Sequence, residues 1–460
     1  MLNRRSFLKS SLALPALTGA GTLLQTLAAM QARAVDTSGY RALVCVFLYG
    51  GMDCHDTVLP YDPASWEVYS RIRASLLASY AAQPGGSSRT REALLPLEPA
   101  SGGFGRRQFA LPPQFSGIHQ LFGQGAAAVV GNVGPLVEPT DRDSYRSNSV
   151  ALPARLFSHN DQQSTWMSFA PEGAPFGWAG RFADAVLSAN AQAAFSQISL
   201  AGSPVLLTGE QVAPYMISAD GVPSIRLIEL AGRQLGPLLR DHFTSEGSVR
   251  DNLFERDFID LSRVSLDSNE ALDQALRSAP GLATPFPASP LGAQLSAVAR
   301  TLSVRDTLEA GRQIFFVAMG GFDTHATQAA DLPPLQQDIG DSLAAFYAAT
   351  RELGLEDQVT TFTAADFGRT LTVNGDGTDH GWGGHHFVVG GAVRGGDIYG
   401  EIPVSELGHE QDAGNGRLIP TVAVEQFAEP LGRWYGLDQQ SLNQALPGLS
   451  RFPAGGLGFL

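Results

Sequence analysis

Three short stretches of this chain put carboxylates at the ends of apolar runs. Thr363-Ala364-Ala365-Asp366-Phe367-Gly368-Arg369 is followed by Gly377-Thr378-Asp379-His380-Gly381. Residues 313–319 end in Gly320-Gly321-Phe322-Asp323-Thr324-His325, and residues 42–48 end in Tyr49-Gly50-Gly51-Met52-Asp53. Asp and His are ligands for divalent cations. An acid at the carboxyl end of a strand is also how open α/β sheets build their sites. Asp323 and His325, two residues apart, can share one side of an extended segment. Taken alone, Asp53 would read as a cap on the next turn; with two similar acids elsewhere, metal binding is the stronger reading.

A fourth stretch, Ser158-His159-Asn160-Asp161, holds several reactive side-chain types. The Ser158 hydroxyl is a candidate nucleophile, and Ser158 or Asn160 would also cap a helix running through Trp166. The two roles agree, because a helix start favours an anionic ester oxygen. Arg369 or Arg181 are candidates to pair with such oxygens. His385 and His386 precede a further apolar run at 387–389 and read as supporting groups or as simple surface.

These residues need strands to carry them. Residues 42–48, 126–133, 313–319 and 359–365 are apolar enough for strands buried on both faces. Helical patterns lie between them, at 65–82, 115–122, 293–312 and 334–353, with 420–446 closing the chain. The alternation predicts one large α/β domain over 35–460, a mostly parallel sheet between helices. Residues 224–280, with Ile225, Leu227 and Leu230 leading, read as a helical insertion or cap. Residues 84–107, rich in Gly, Ser, Pro and Arg, read as a surface excursion.

Composition narrows the function classes. The start, Asn3-Arg4-Arg5-Ser6-Phe7-Leu8-Lys9, then an apolar run to Met30 and Ala32-Arg33-Ala34, reads as an export signal cleaved after Ala34. Its Arg pair resembles a twin-arginine signal, which implies the twin-arginine export machinery as a partner and a periplasmic location. Glycines and polar residues make the run a poor stable membrane span. The first 34 residues carry four of the 31 basic residues and no acid, leaving 27 basic against 45 acidic, a net of −18. That disfavours nucleic acid as a partner. Lys9 is the sole lysine, so Schiff-base and Walker A lysine chemistry are excluded beyond it. No G-x-S-x-G or H-E-x-x-H occurs. Cys45 reads as a small core residue; whether it bridges Cys54 is not decided by spacing.

Taken together, the loops resemble the alkaline phosphatase superfamily, with its sulfatases and cofactor-independent phosphomutases. Thr363-Ala364-Ala365-Asp366 is similar to its T-A-D-H segment, and Gly377-Thr378-Asp379-His380 to the G-T-D-H segment of the phosphomutases. The resemblance implies an alkaline phosphatase-like fold, one or two divalent ions of the zinc type, and a small anionic ester as substrate. The implied ligands are Asp53, Asp323, His325, Asp366 and His380, with Ser158 as nucleophile and Arg369 on the ester. His159, Asp161, Asp379 and His385 would support them. More closely, the chain resembles a bacterial exported family named only as domain of unknown function 1501. The segments that carry this are G-G-x-D, S-H-x-D-x-Q, G-W-x-G-R, G-G-x-D-T-H and F-G-R-T…G-T-D-H-G. One departure matters: Phe367 stands where the superfamily has a second-metal His. The expectation is therefore a tighter Asp323/His325/His380 site and a weaker Asp53/Asp366 one. A catalytically degenerate fold that binds a periplasmic ligand or partner is the alternative.

Overall fold

The computed structural model describes residues 35–84, 88–222, 232–244 and 252–460. The expected export signal at 1–34 lies outside the described residues, as do Ile225, Leu227 and Leu230. In chain order the strands are β1 (Arg41–Leu48), β2 (Leu59–Pro60), β3 (Leu95–Pro96), β4 (Phe109–Leu111), β5 (Ala127–Gly134) and β6 (Gln197–Ser199). They continue as β7 (Tyr215–Met216), β8 (Arg312–Met319), β9 (Val359–Ala365), β10 (Gly384–Val389), β11 (Ile398–Gly400) and β12 (Val422–Ala423). Strands β2, β4 and β3 make a small antiparallel sheet. The other nine form one sheet in the order β11-β5-β10-β9-β1-β8-β6-β7, with β12 also on β5. It is mixed but mostly parallel: β10 alone runs against its neighbours β5 and β9.

The apolar run of β1 explains its central place. Ala42, Val44, Val46 and Leu48 enter the core on one face, and Leu43, Cys45 and Phe47 the core on the other. With both faces covered, each buried Leu, Val or Phe contributes about 1.5–3 kcal/mol. Its neighbours β8 and β9 are parallel to it, so Asp53, Asp323 and Asp366 all leave the sheet at one edge. Both cysteines are free buried thiols.

Twelve helices are described. They are α1 (Pro63–Ile72), α2 (Ala74–Ala82), α3 (Ser116–Gly123), α4 (Arg142–Ser147), α5 (His159–Ser168) and α6 (Trp178–Ala185). Then come α7 (Gly232–Thr244), α8 (Leu253–Ser278), α9 (Pro290–Ser303), α10 (Gln328–Glu352), α11 (Val424–Tyr435) and α12 (Gln439–Ala445). Leu272 and Ala275 of α8 join the β1 core, while Leu253, Phe254 and Leu261 stay exposed. Three expectations change. The 65–82 helix breaks at Arg73, whose φ/ψ of −99°/20° is not helical. Helix α10 starts at Gln328 and passes through Pro333 and Pro334, because buried Gln328, Ala329 and Leu332 hold its first turns down. Within the 84–107 excursion, Arg89 is fully buried and pairs with Asp56 at 3.0 Å.

Two neighbouring histidines of β10 are core residues rather than surface. His386 lies against the rings of Trp166 and Phe427, at 5.7 and 6.1 Å, and His385 Nδ1 accepts from the Asn132 backbone N–H at 2.9 Å. Burial drives both from 6.5 down to about 3. An unfolded chain would take up these protons below pH 6.5 while the folded one does not. Stability is therefore full above pH 6.5 and falls toward pH 3, at about 2.7 kcal/mol per pH unit for the pair. Urea titrations at pH 7.5, 5.5 and 4.5 should show this, and His386→Phe should remove about half the slope.

Candidate functional site

The β1 loop threads closely between its neighbours. Gly50, at φ +114°, leaves no room for a side chain: a Cβ there would lie 2.4 Å from the Asp323 N atom. At Gly51, φ +86°, a Cβ would lie 2.4 Å from the Phe367 ring. The second loop of the β9 region folds back through Gly381 N–H to Gly368 O at 2.7 Å and Thr370 N–H to Asp379 O at 3.0 Å. That brings His380 beside Asp323. The third contributor is α5, whose first residue is His159.

The site centres on Asp323, His159, His325 and His380. Ligand atoms of His159, Asp323 and His380 all lie within 4.8 Å of one another. His380 Nε2 is 3.2 Å from Asp323 Oδ1 and 2.9 Å from His325 Nε2, which is itself 3.0 Å from Asp323 Oδ1. His159 Nε2 is 3.5 Å from Asp323 Oδ2. The rings of His159 and His380 both pack on Phe367, at 4.9 and 4.7 Å.

The far nitrogens fix the tautomers. His380 Nδ1 lies 2.8 Å from the Phe157 carbonyl oxygen, which can only accept, so Nδ1 carries the proton. His159 Nδ1 lies 2.6 Å from Asp366 Oδ2 and donates to it. In their neutral forms both rings therefore turn a bare Nε2 lone pair toward a carboxylate. A proton or a metal cation can lie between such a nitrogen and the carboxylate, and an oxygen acceptor behind a His is the usual support of a metal ligand. The residues thus fit a divalent ion: two imidazoles and one carboxylate with an open side are the zinc type of donor set. His325 adds a third nitrogen and so a fourth donor, with Asp379 Oδ1 3.4 Å from its Nδ1.

Electrostatics agree. Burial raises the Asp323 carboxyl, but the Arg369 hydrogen bond and charge, with His325 and His159, outweigh it and hold Asp323 below its usual range. The hydrogen bond to Asp366 raises His159, against partial burial. Burial lowers His380. The backbone is strained here too: Arg155 and Phe157 have φ of +49° and +72°. Such values are rare for non-glycine residues and collect at functional sites.

Other expected site residues have different work. Asp53 is not beside the cation cluster. It is fully buried, with Arg73 Nη1 and Nη2 at 2.6 and 3.0 Å and Gln328 Nε2 at 2.7 Å. The break between α1 and α2 is what turns Arg73 inward, and its charge overcomes burial to keep Asp53 ionised. Asp366 Oδ2 is shared by the Gly50 N–H, His159 and Gln163 Nε2, so Asp366 supports His159 rather than forming a second metal site with Asp53. Arg369 is a buried strut, donating to Gly50 O, Phe322 O, Thr378 O and Asp323 Oδ1, and is not free to grip an ester. Arg181 lies on α6 and reaches Ala445 O. Ser158 Oγ donates to Asp161 Oδ2 at 3.1 Å, and Asp161 also accepts from Arg155 Nη1 and the Glu172 N–H. His385 is in the core.

Sequence reading left out Gln163, the Phe157 carbonyl and Arg417, and gave His159 only a supporting role. Gln163 had a signal, since it follows His159 by four residues on one helix face. The Phe157 carbonyl had none, because it depends on a strained φ.

The fold and the site together define an α/β protein with a cluster of His and Asp side chains, of a kind that could hold a cation, at the carboxyl edge of its sheet. A family model described as "Protein of unknown function (DUF1501)" matches residues 247–451, a little under half of the chain. The match takes in Asp323, His325 and His380 but not Ser158 or His159. No curated protein matches the chain. Among solved structures, "Crystal structure of Ps i-CgsB in complex with k-i-k-neocarrahexaose" covers 90% of this chain and 77% of that one. Its identity is 7% and its TM-score 0.35, too low to inform fold or function.

Arg73→Met would strand the Asp53 carboxylate in the core. It should lower the unfolding free energy by about 3–5 kcal/mol in a urea titration. Asp379→Asn, at a half-exposed position, should change it by less than about 1 kcal/mol. Equal effects would mean that the Asp53–Arg73 pair is no structural anchor.

Proposed function

We propose that this protein is an exported hydrolase of phosphate or sulfate esters working with one divalent cation. His159, Asp323 and His380 would hold the ion, with His325 alongside. The twin-arginine route and the alkaline phosphatase-like ancestry read from the sequence belong to the same proposal. The observation that carries it is the pair of Nε2 atoms on His159 and His380, both turned to Asp323 while oxygen acceptors behind the rings hold the other nitrogens. A single ion is proposed because Asp53 is consumed by Arg73 and Phe367 fills the neighbouring place.

When bound, such a cation is a Lewis acid that draws charge from a phosphoryl or sulfuryl oxygen. Ser158 is the nucleophile. Its hydroxyl donates to Asp161, which leaves the Oγ lone pairs free to form the bond to phosphorus or sulfur. The hydroxyl proton passes to Asp161 and on to the departing alcohol as the ester C–O–P or C–O–S link breaks at its phosphorus or sulfur. Water then cleaves the enzyme ester and restores the hydroxyl. Asp161 is braced for this by Arg155 and the Glu172 N–H. Asp366, held by Gln163 and the Gly50 N–H, keeps the proton on His159 Nδ1.

One observation favours the alternative of a binding protein: no described hydrogen bond links Ser158 to the histidines. The two readings separate by experiment. Purified protein should carry about one equivalent of divalent cation by elemental analysis and cleave generic aryl phosphates or sulfates. His380→Ala should lose most of the metal. Ser158→Ala should keep the metal and lose about a thousandfold or more of the cleavage. Metal retained in wild type with no ester cleaved would leave the binding reading; no bound metal would overturn both roles of the cluster.

A further inference from the structure

In the ester hydrolase reading the cation meets part of the substrate's negative charge, and neither Arg369, a buried strut, nor Arg181, which lies on α6 beside Ala445, is placed to meet the rest. Arg417 is placed to supply one. Its Nε donates to the backbone oxygen of His380 at 2.7 Å, which fixes the guanidinium to a residue of the cation cluster. The same guanidinium lies over the Phe157 ring, 5.1 Å from its centre, and Phe157 is the residue whose carbonyl orients His380. Arg417, Phe157 and His380 therefore form one closed set of contacts. Besides Nε, only Nη1 has a protein partner, Gly414 O at a long 3.4 Å; Nη2 has none among the described residues.

No carboxylate pairs with Arg417 among the described residues, although it is half-buried. Arg155, two residues before Phe157, already faces Asp161. A half-buried guanidinium with free N–H groups and no counter-ion is an anion receptor, and its fork suits the paired oxygens of phosphate or sulfate. The loop that carries it is built for rigidity. Buried Asp412 accepts the N–H groups of Gly408, Gly414 and Gly416, at 2.7, 2.7 and 2.9 Å. Arg417 itself closes a turn, its N–H bonded to Gly414 O at 3.1 Å and its carbonyl to the Ala413 N–H at 2.9 Å.

We propose that Arg417 binds the tetrahedral oxyanion of the substrate beside the cation cluster, and so sets its preference for a charged ester. This rests on the ester hydrolase reading for its biological meaning, but the contact can be tested without turnover. The full-length metal-loaded protein is titrated calorimetrically with inorganic phosphate and, separately, with inorganic sulfate. Wild type should bind at least one of them, and the stronger of the two names the ester class. Arg417→Met should weaken that binding at least tenfold with metal content unchanged; Arg417→Lys should recover part of it. With an ester that wild type cleaves, the loss should fall on KM more than on kcat. If Arg417 only braced the His380 carbonyl, metal content would fall in Arg417→Met and anion affinity at saturating metal would not. That result would overturn the proposal, as would a metal-loaded wild type that binds neither anion. Should Arg417→Met fail to fold, the anion affinity of Arg417→Lys decides: unchanged affinity overturns the proposal and a clear reduction supports it. Loss of metal from wild type would instead count against the hydrolase reading. Arg417-dependent anion binding without turnover would leave this inference standing and the hydrolase reading overturned.

Discussion

The site depends on one buried guanidinium. Arg369 joins the β1 loop through Gly50 O, the β8 loop through Phe322 O and Asp323, and the loop before β10 through Thr378. Every loop that brings a ligand to the edge of the sheet is tied to it, except the start of α5. Burial of an arginine is costly unless its N–H groups are met. Here carbonyl oxygens meet most of them, and burial still draws its pKa down. The half-exposed carboxylate of Asp323 receives the remaining charge, which keeps it ionised and aimed at the histidines. Asp323 is thus a ligand type held in place from behind by a cation, while a second cation would be held in front of it.

A second buried pair does for the outer layer what Arg369 does for the inner one. Arg73 binds Asp53 and, through Nε and Nη2, the carbonyls of Leu371 and Thr370. Gln328 links Asp53 to Thr378, where Arg369 also ends. The two arginines therefore share one chain of contacts. An acid that topology places at a strand end, next to two others, has in this protein become part of the frame. Position at the carboxyl edge makes a residue available to a site; the partner that reaches it first decides its role.

Much of this was legible in the sequence. The apolar runs of β1, β8 and β9 and their terminal acids could be read because both faces of a central strand must be apolar and a site needs polar groups where the strands stop. His380 was legible from its glycine-flanked loop, and His325 from its spacing to Asp323. The fate of Asp53 was not, because it turns on a helix break at Arg73 that helical periodicity runs straight through. Nor was the centrality of His159: a helix-capping segment looks the same whether its second residue points to solvent or to a cluster. His385 and His386 read as supporting groups or simple surface, since nothing local announces that His386 is buried against Trp166 and Phe427.

Phe367 shows how these levels combine. In sequence it is the departure that puts a second metal in doubt. In the structure its ring fills the space beside Gly51 and lies against both His159 and His380. An apolar ring there does two things that a histidine would not do together. It offers no ligand atom to a cation, and it lowers the local dielectric on one side of the Nε2 atoms, so that charge on the other side acts more strongly. Under the proposed function, a single residue would then both withhold one ligand position and strengthen the other, which would favour one well-held ion over two weak ones.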